Sequence, residues 1–183
     1  MVYLFLANGF EETEAIAPLD LLKRAGVDVK TVAVGTENAS LTVTGAHEIP
    51  VTADVHESQI ELDDVNGVIL PGGLPGADNL YASEHVKTAL ETANANGAVI
   101  GAICAAPYIL GKRGYLAGKR AVCFPGFEND LVGACVTDAP AVTDGNIITA
   151  KAMGAAIPFG LALVTSLCGK EAADKIAAAI HAI

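Results

Sequence analysis

Short, continuous apolar segments alternate with longer segments of helical periodicity along this chain of 183 residues. A strand that is apolar at every position is buried on both faces, as in a parallel sheet covered by helices on both sides. The pattern therefore predicts an α/β fold, a single domain over residues 1–183 with a mostly parallel central sheet. The predicted strands are 2–7, 27–34, 67–73 and 98–103, and the predicted helices are 13–26, 83–97, 154–168 and 170–181.

Two further segments are predicted to form local structure. Residues 40–61 are polar and irregular, which indicates a small hairpin or excursion, and 140–150 reads as a hairpin about Asp144-Gly145. Ser83 stands where the N-cap of the helix over 83–97 is expected.

Composition and charge exclude several classes of function. The net charge of −10 and the 5% aromatic content argue against nucleic-acid binding, which needs clustered cations and stacking side chains. No apolar run approaches the roughly 20 residues that span a bilayer, and the N-terminal segment lacks the basic region of a signal peptide. We therefore expect a cytoplasmic protein that binds neither nucleic acid nor membrane.

The cysteines indicate reduced thiols. They form no C-x-x-C pair, so neither a zinc site nor a disulfide framework is expected, in keeping with a reducing compartment. No two histidines are spaced at i, i+3 or i+4, so no metal site is predicted. The cysteines are Cys104, Cys123, Cys135 and Cys168.

The carboxyl ends of two predicted strands are expected to bring a cysteine and a glycine turn together. Ligand sites of open α/β sheets lie at that edge. "LPGG" follows one strand, and Cys104 in "GAICAAPYIL" follows the next, at a sharp turn into a helix. The N-terminus of that helix would favour the thiolate. A buried, inert cysteine fits the same pattern, so the cysteine alone does not decide.

Backbone and carboxyl groups near Cys104 could complete a site. The N–H groups of Gly72, Gly73 and Ala105 could together bind an oxyanion or a sulfinate. The segment "NGFEETEA" follows the first strand at the same edge, and one of its glutamates could donate a hydrogen bond to the sulfur from its protonated form. The others read as a solvated helix N-terminus, and the residues alone do not choose among the three.

Three segments in order, "GFEETEAIAPLDLLKRAGVDVKTV", "VILPGGLPGADNL" and "GAICAAPYIL", resemble the ThiJ/PfpI family. The most similar branch contains the parkinsonism-associated deglycase and its bacterial relatives. The resemblance covers nearly the whole chain, with gaps. It implies a flavodoxin-like three-layer sandwich and a homodimer.

The resemblance also implies roles for individual residues. Cys104 takes the place of the family's oxidation-prone nucleophile, and Glu14 that of the protonated glutamate bonded to it. Gly73 and Ala105 take the oxyanion-hole positions. Arg24 resembles an arginine that reaches the partner subunit's site, although the same residue reads equally well as a charge at a helix C-terminus.

The sequence departs from the family pattern in the pocket. Phe124 stands where many members have a histidine, and phenylalanine cannot act as a general base. Ala105 follows the nucleophile where the protease-like branch has histidine, so peptidase activity is not expected. His47 lies near the position of an arginine that approaches the cysteine in relatives and could line the pocket. The loop "TAKAMGAA" lacks the family's hydroxyl, arginine and proline, which weakens any transfer of substrate preference.

These features together predict a cysteine-dependent stress-response protein. The resemblance implies a glyoxalase III or deglycase that acts without a cofactor on methylglyoxal-type dicarbonyls or their adducts, through Cys104 and Glu14. The alternative is a non-catalytic sensor or redox-regulated chaperone that uses oxidation of Cys104. A glutaminase-type amidotransferase also uses an elbow cysteine, but the late H-x-E pattern that it needs is missing from the sequence.

Overall fold

The elements of the fold alternate as the sequence pattern predicts. The structure, a computed structural model, describes residues 1–182. Over these residues the strands, in chain order, are β1 (Val2–Ala7), β2 (Val29–Val34), β3 (Thr42–Thr44), β4 (Pro50–Thr52), β5 (Val55–His56), β6 (Gly67–Leu70), β7 (Val99–Ile103), β8 (Arg120–Ala121), β9 (Cys135–Val136), β10 (Ala141–Asp144) and β11 (Ile147–Ala150). The α-helices are α1 (Glu12–Arg24), α2 (Gly76–Ala82), α3 (Glu84–Ala95), α4 (Pro107–Lys112), α5 (Ala156–Cys168) and α6 (Lys170–Ala179).

Seven strands form the central sheet, in the order β10-β11-β7-β6-β1-β2-β5. All neighbours are parallel except β10 and β11, which form the hairpin predicted about Asp144-Gly145. The predicted excursion contains the antiparallel pair β3–β4 and then β5, which joins the edge of the sheet. The predicted α/β fold with a mostly parallel sheet is confirmed.

Helices cover both faces of the sheet. Strand β1 is apolar throughout because its side chains are buried on both of these faces. Tyr3 and Phe5 belong to the core formed with α2, α3 and α4. Leu4 and Leu6 belong to the opposite core, formed with α1, α5 and α6. Because successive side chains of a strand point to opposite faces, a strand buried on both sides cannot alternate with polar residues.

Local sequence signals placed most helix boundaries. Ser83 caps α3 as predicted, with its hydroxyl accepting the N–H of Val86 at 3.2 Å. Helix α2 was not predicted, because it has only seven residues and begins in a Pro-Gly turn that reads as loop. No helix described between residues 1 and 182 is long and apolar enough to cross a membrane.

We expect Gly160→Ala to destabilise the fold. Gly160 lies in α5 against α1, and a Cβ there would stand 2.6 Å from Leu21 Cδ1 and 3.0 Å from Pro18 Cα. Overpacking of this kind costs about 1–3 kcal/mol, against about 1 kcal/mol gained in helix propensity, so we expect a net loss of about 1 kcal/mol in urea unfolding. Ser166→Ala, on the exposed side of the same helix, is the control and should be neutral or slightly stabilising. An unchanged or higher free energy of unfolding for Gly160→Ala would show that the helices separate without cost.

Candidate functional site

The site forms where neighbouring parallel strands end together. In the register of β6 and β7, Leu70 lies beside Ala102, so the segments that follow the two strands leave the sheet side by side. The first carries Gly72 and Gly73, and the second carries Cys104. The predicted convergence of the glycine turn and the cysteine therefore occurs at the carboxyl edge of the sheet.

Cys104 occupies a strained turn. Its φ is +64°, in the left-handed region that residues with a Cβ rarely adopt. Two backbone hydrogen bonds fix this conformation: the Cys104 N–H donates to Ala150 O at 2.9 Å, and the Phe124 N–H donates to Cys104 O at 2.8 Å. The turn directs a partly exposed side chain out of the sheet edge, as a nucleophile elbow does.

Glu14 is the glutamate that contacts the cysteine. Its side chain is only 1% exposed and is hydrogen-bonded to the Cys104 side chain. Glu11, the N-cap of α1, holds the first turn of this helix by accepting the Glu14 N–H at 2.6 Å. Glu12 turns the other way, toward His47. The capping contact of Glu11 thus orients the turn that carries Glu14 into the sheet edge.

The glycine turn divides its N–H groups between the two side chains. The Gly73 and Ala105 N–H groups are directed at the Cys104 sulfur, and their role as an oxyanion hole stays a prediction. The expectation that Gly72 also faces the thiol is wrong, because its N–H donates to Glu14 Oε2 at 3.0 Å. A Cβ at Gly72 would lie 2.6 Å from that oxygen and 2.7 Å from Cys104 Cβ, so only glycine fits between the pair.

Burial dominates the electrostatics of the pair. It raises the pKa of the Glu14 carboxyl to about 7. Burial and then the Glu14 charge raise the pKa of the Cys104 thiol to about 12, against the opposing effect of the Ala105 and Gly73 N–H groups. This direction is opposite to the lowered thiol pKa expected from the helix N-terminus. Because the Glu14 charge is a large part of the cause, a thiolate forms most readily when the shared proton lies on Glu14.

The three other pocket candidates lie in different places. Phe124 is beside Cys104 through its backbone hydrogen bond, with a side chain that is 44% exposed. Arg24 lies at the last turn of α1, at the opposite end of the helix from Glu14, and pairs with Asp20 at 2.6 Å. It is therefore not part of the site of its own chain.

His47 is exposed and bonded to Glu12 rather than to the cysteine. The ring Nδ1 of His47 lies 2.7 Å from Glu12 Oε2, and the backbone N–H of His47 donates to Glu12 Oε1 at 2.8 Å. The contact with Glu12 raises the pKa of His47. His47 thus contacts the first turn of α1, the turn that also carries Glu14.

Within residues 1–182, one group of side chains could supply metal ligands, namely Glu11, Glu12 and His47, whose ligand atoms lie within 4.8 Å of one another. Local spacing missed this group because His47 is 35 residues from Glu12. The ion pair between His47 and Glu12 already accounts for two of its members. The expectations of no metal and no cofactor stay predictions.

One buried polar residue near the site had no signal in the sequence. Thr149, which is 1% exposed, accepts the Val122 N–H on its hydroxyl at 3.0 Å. This bond ties the end of β11 to the segment that carries Phe124. A threonine in an apolar strand reads as ordinary strand sequence, so its partner is visible only in the fold.

The fold and the site define a class of protein, a flavodoxin-like α/β sandwich with a cysteine at a strand-to-helix elbow and a buried glutamate against it. The model of the DJ-1/PfpI family matches residues 1–166. The chain belongs to the DJ-1/PfpI family, which confirms the resemblance seen in the three sequence segments.

Individual relatives match along most of their length. Protein dj-1beta of Drosophila melanogaster is 35% identical over 176 residues, which cover 95% of this chain and 92% of that protein. The crystal structure of the fly DJ-1beta superposes with a TM-score of 0.92 at 33% identity, covering 100% of this chain and 97% of that one. The structure of oxidised DJ-1 of Toxoplasma gondii superposes with a TM-score of 0.92 at 33% identity, covering 98% of this chain and 97% of that one. A deglycase of Pyrococcus abyssi is 28% identical over 155 residues, which cover 84% of this chain and 90% of the deglycase.

We expect Glu14→Gln to change how stability depends on pH. The raised pKa of Glu14, about 7 against 4.5 in the unfolded chain, means that the folded state holds an extra proton between these pH values. The contribution of the protonated Glu14 to the free energy of unfolding is complete below pH 4.5 and is lost as the pH rises through 7. The wild type should therefore lose about 3 kcal/mol relative to Glu14→Gln over this interval. Urea unfolding of both proteins at pH 4.5, 6 and 7.5 measures the difference, and parallel curves would contradict a buried, protonated Glu14.

Proposed function

We propose that the chain is a cofactor-independent enzyme that acts on α-oxoaldehydes or their adducts, of the glyoxalase III or deglycase type. The observation that carries the proposal is the Glu14–Cys104 contact, with the Gly73 and Ala105 N–H groups on the sulfur. A nucleophile, a proton carrier and two oxyanion donors at one point are the groups that carbonyl addition needs. The likeness to the Pyrococcus abyssi deglycase supports the same reaction class.

The first step forms a carbon–sulfur bond. The Cys104 thiolate attacks the aldehyde carbon of R–CO–CHO, and the electrons of the carbonyl π bond move to its oxygen. That oxygen is stabilised by the Gly73 and Ala105 N–H groups and takes the proton from Glu14, which gives a hemithioacetal and a Glu14 carboxylate. The raised pKa of Glu14, about 7, suits a group that donates and accepts protons near neutral pH.

The second stage moves hydrogen between the two carbons. The Glu14 carboxylate removes the C–H proton of the hemithioacetal, which gives an enediolate. Glu14 returns this proton to the former ketone carbon, and the hydroxyl proton of the former aldehyde carbon passes to the neighbouring oxygen, which gives a thioester. Water then cleaves the thioester, which releases the 2-hydroxy acid R–CHOH–COOH and the thiol. The former aldehyde carbon is oxidised and the former ketone carbon is reduced, so no external oxidant is needed. Phe124 cannot carry a proton, and Glu14 therefore performs both transfers.

The alternative function is redox sensing through the same sulfur. Two equivalents of peroxide convert the thiolate into a sulfinate, each transferring one oxygen and leaving water, or hydroxide that is protonated to water. The Gly73 and Ala105 N–H groups and a protonated Glu14 would bind the sulfinate oxygens. The solved oxidised DJ-1 of Toxoplasma gondii, at 33% identity, is the observation that favours this candidate.

The four free cysteines agree with residence in the reducing cytoplasm.

We also propose that the chain acts as a homodimer through the outer face of α1. Ile16 on α1 is 40% exposed, and Ile49 and Ile157 line the same apolar groove with exposures of 53% and 37%. Leu21, on the same helix, is 1% exposed and packs inward against Gly160, so Ile16 rather than Leu21 is the apolar residue of α1 on its outer face. Arg24 also lines the groove, where a second copy would place it near the partner's surface.

Lactate formation from methylglyoxal tests the enzymatic proposal. We expect wild-type protein to form lactate, Cys104→Ser to form none, and Glu14→Gln to be at least about 100-fold slower because it loses the proton transfers. Cys135→Ser replaces an exposed cysteine and is the matched control, with activity unchanged. If wild-type protein forms no lactate while peroxide converts Cys104 to the sulfinate, the enzymatic proposal is wrong and redox sensing is the function supported.

Light scattering at low micromolar concentration tests the dimer. We expect twice the chain mass of 18.6 kDa for the wild type and a monomer for Ile16→Asp, because burying an unpaired carboxylate in an apolar interface opposes association. Val132→Asp replaces an equally apolar exposed residue outside the groove, and it should remain dimeric. A monomeric wild type, or an Ile16→Asp dimer, would remove the groove from the interface.

A further inference from the structure

Three chain segments that meet at Cys104 each carry a large exposed apolar side chain, and these three side chains, Leu74, Phe124 and Met153, are here called the rim. Each of three chain segments is hydrogen-bonded to Cys104, and each carries a large exposed apolar side chain within three residues of the bond. Leu74 follows Gly73, whose N–H bonds to the cysteine. Phe124 itself donates to Cys104 O, and Met153 stands three residues after Ala150, which accepts the Cys104 N–H. The exposures are 51% for Leu74, 44% for Phe124 and 52% for Met153.

Exposed large apolar side chains are not evenly distributed over the described residues. Over the described part of the chain, nine large apolar residues are exposed, and three of them stand on the segments bonded to Cys104. Another three, Ile16, Ile49 and Ile157, line the groove along α1. A single exposed apolar residue needs no explanation, but three on segments that meet at one residue do.

The three segments carry no charged side chain of their own, and two carboxyl groups contact them: Glu14 accepts the Gly72 N–H at 3.0 Å, and Glu128 accepts the Gly126 N–H at 2.7 Å. Residues 71–77, 121–127 and 152–156 contain no acidic or basic side chain. The nearest cation along the third segment, Lys151, is paired with Asp138. A substrate with a carboxylate or phosphate near its carbonyl would therefore meet no free positive charge on these segments, whereas an apolar substituent would lose water against three apolar side chains.

We propose that Leu74, Phe124 and Met153 select α-oxoaldehydes whose substituent R is a long apolar group, in preference to methylglyoxal or to anionic dicarbonyls. This inference rests on the proposed function and names its substrate class. With the aldehyde carbon on the sulfur and its oxygen on the Gly73 and Ala105 N–H groups, R extends outward over the rim. Phe124, which stands in place of a histidine in related chains, then acts as a specificity residue rather than an acid or base.

Two aliphatic substrates of similar carbonyl reactivity test the inference, namely 2-oxopropanal (methylglyoxal) and 2-oxoheptanal. We expect kcat/KM to be at least about 10-fold higher for 2-oxoheptanal, through the added apolar contact. Phe124→Ser should remove most of this preference, so that the ratio of kcat/KM for 2-oxoheptanal to kcat/KM for methylglyoxal falls by at least about fivefold. Phe124→Leu should retain the preference. Val132→Ser, at an exposed position outside the three rim segments, should leave kcat/KM for both substrates unchanged.

A second measurement separates the rim from the proposed reaction. Cys104 is alkylated with iodoacetamide and with N-hexyl iodoacetamide, and exposed Cys135 in the same molecule serves as the internal reference. We expect the hexyl reagent to be favoured at Cys104 over Cys135 by at least about fivefold in the wild type and not in Phe124→Ser. This preference without turnover of either aldehyde would support the apolar rim and overturn the enzymatic proposal. Turnover without a chain-length preference would overturn the inference and leave the enzyme standing.

Discussion

The hydrogen-bonded contact of Glu14 with Cys104 and Gly72 is the constraint on which the rest of the site depends. A buried carboxyl is tolerated only when its hydrogen bonds are satisfied, and here the Gly72 N–H and the thiol satisfy them. The contact requires α1 to start at a fixed place beside β6, and the glycine turn to pass between the two side chains with no Cβ. The ends of three elements are thereby fixed relative to one another at the edge of the sheet.

The same contact decides where the charge of the pair lies. Burial raises the pKa of both groups, so the pair retains a proton near neutral pH. A negative charge on the carboxylate is supported by Gly72, and one on the sulfur is supported by Gly73 and Ala105. The strained backbone of Cys104 holds the sulfur against its two donors, and the strain is sustained by bonds to Ala150 and Phe124. The charge on the sulfur therefore depends on the position of one shared proton rather than on a helix dipole alone.

Two apolar surfaces of the molecule have different physical origins. The groove along α1 arises because a helix that covers a sheet also has an outer side, and here that side carries Ile16 beside the ion pair of Asp20 and Arg24. The rim around Cys104 arises from loop residues that the fold does not need for its core. Neither surface is required to bury the sheet, and we propose the first for a second copy of the chain and the second for substrate. Phe124 belongs to the second surface.

The sequence by itself determined the layered α/β fold, the strands that end at the site and the capping of α3 by Ser83, because periodicity, strand burial and caps depend on neighbouring residues. It also marked Cys104 as an elbow, while the residues alone left three glutamates open, and only the family resemblance singled out Glu14. The tertiary structure decided that Gly72 serves Glu14 rather than the sulfur, that His47 pairs with Glu12, and that Leu21 faces inward while Ile16 faces outward. These features join residues far apart in the chain, and their outcome depends on angles of packing and on burial. Local sequence does not encode such quantities, which is also why the thiol pKa is raised where a helix N-terminus alone predicted the opposite.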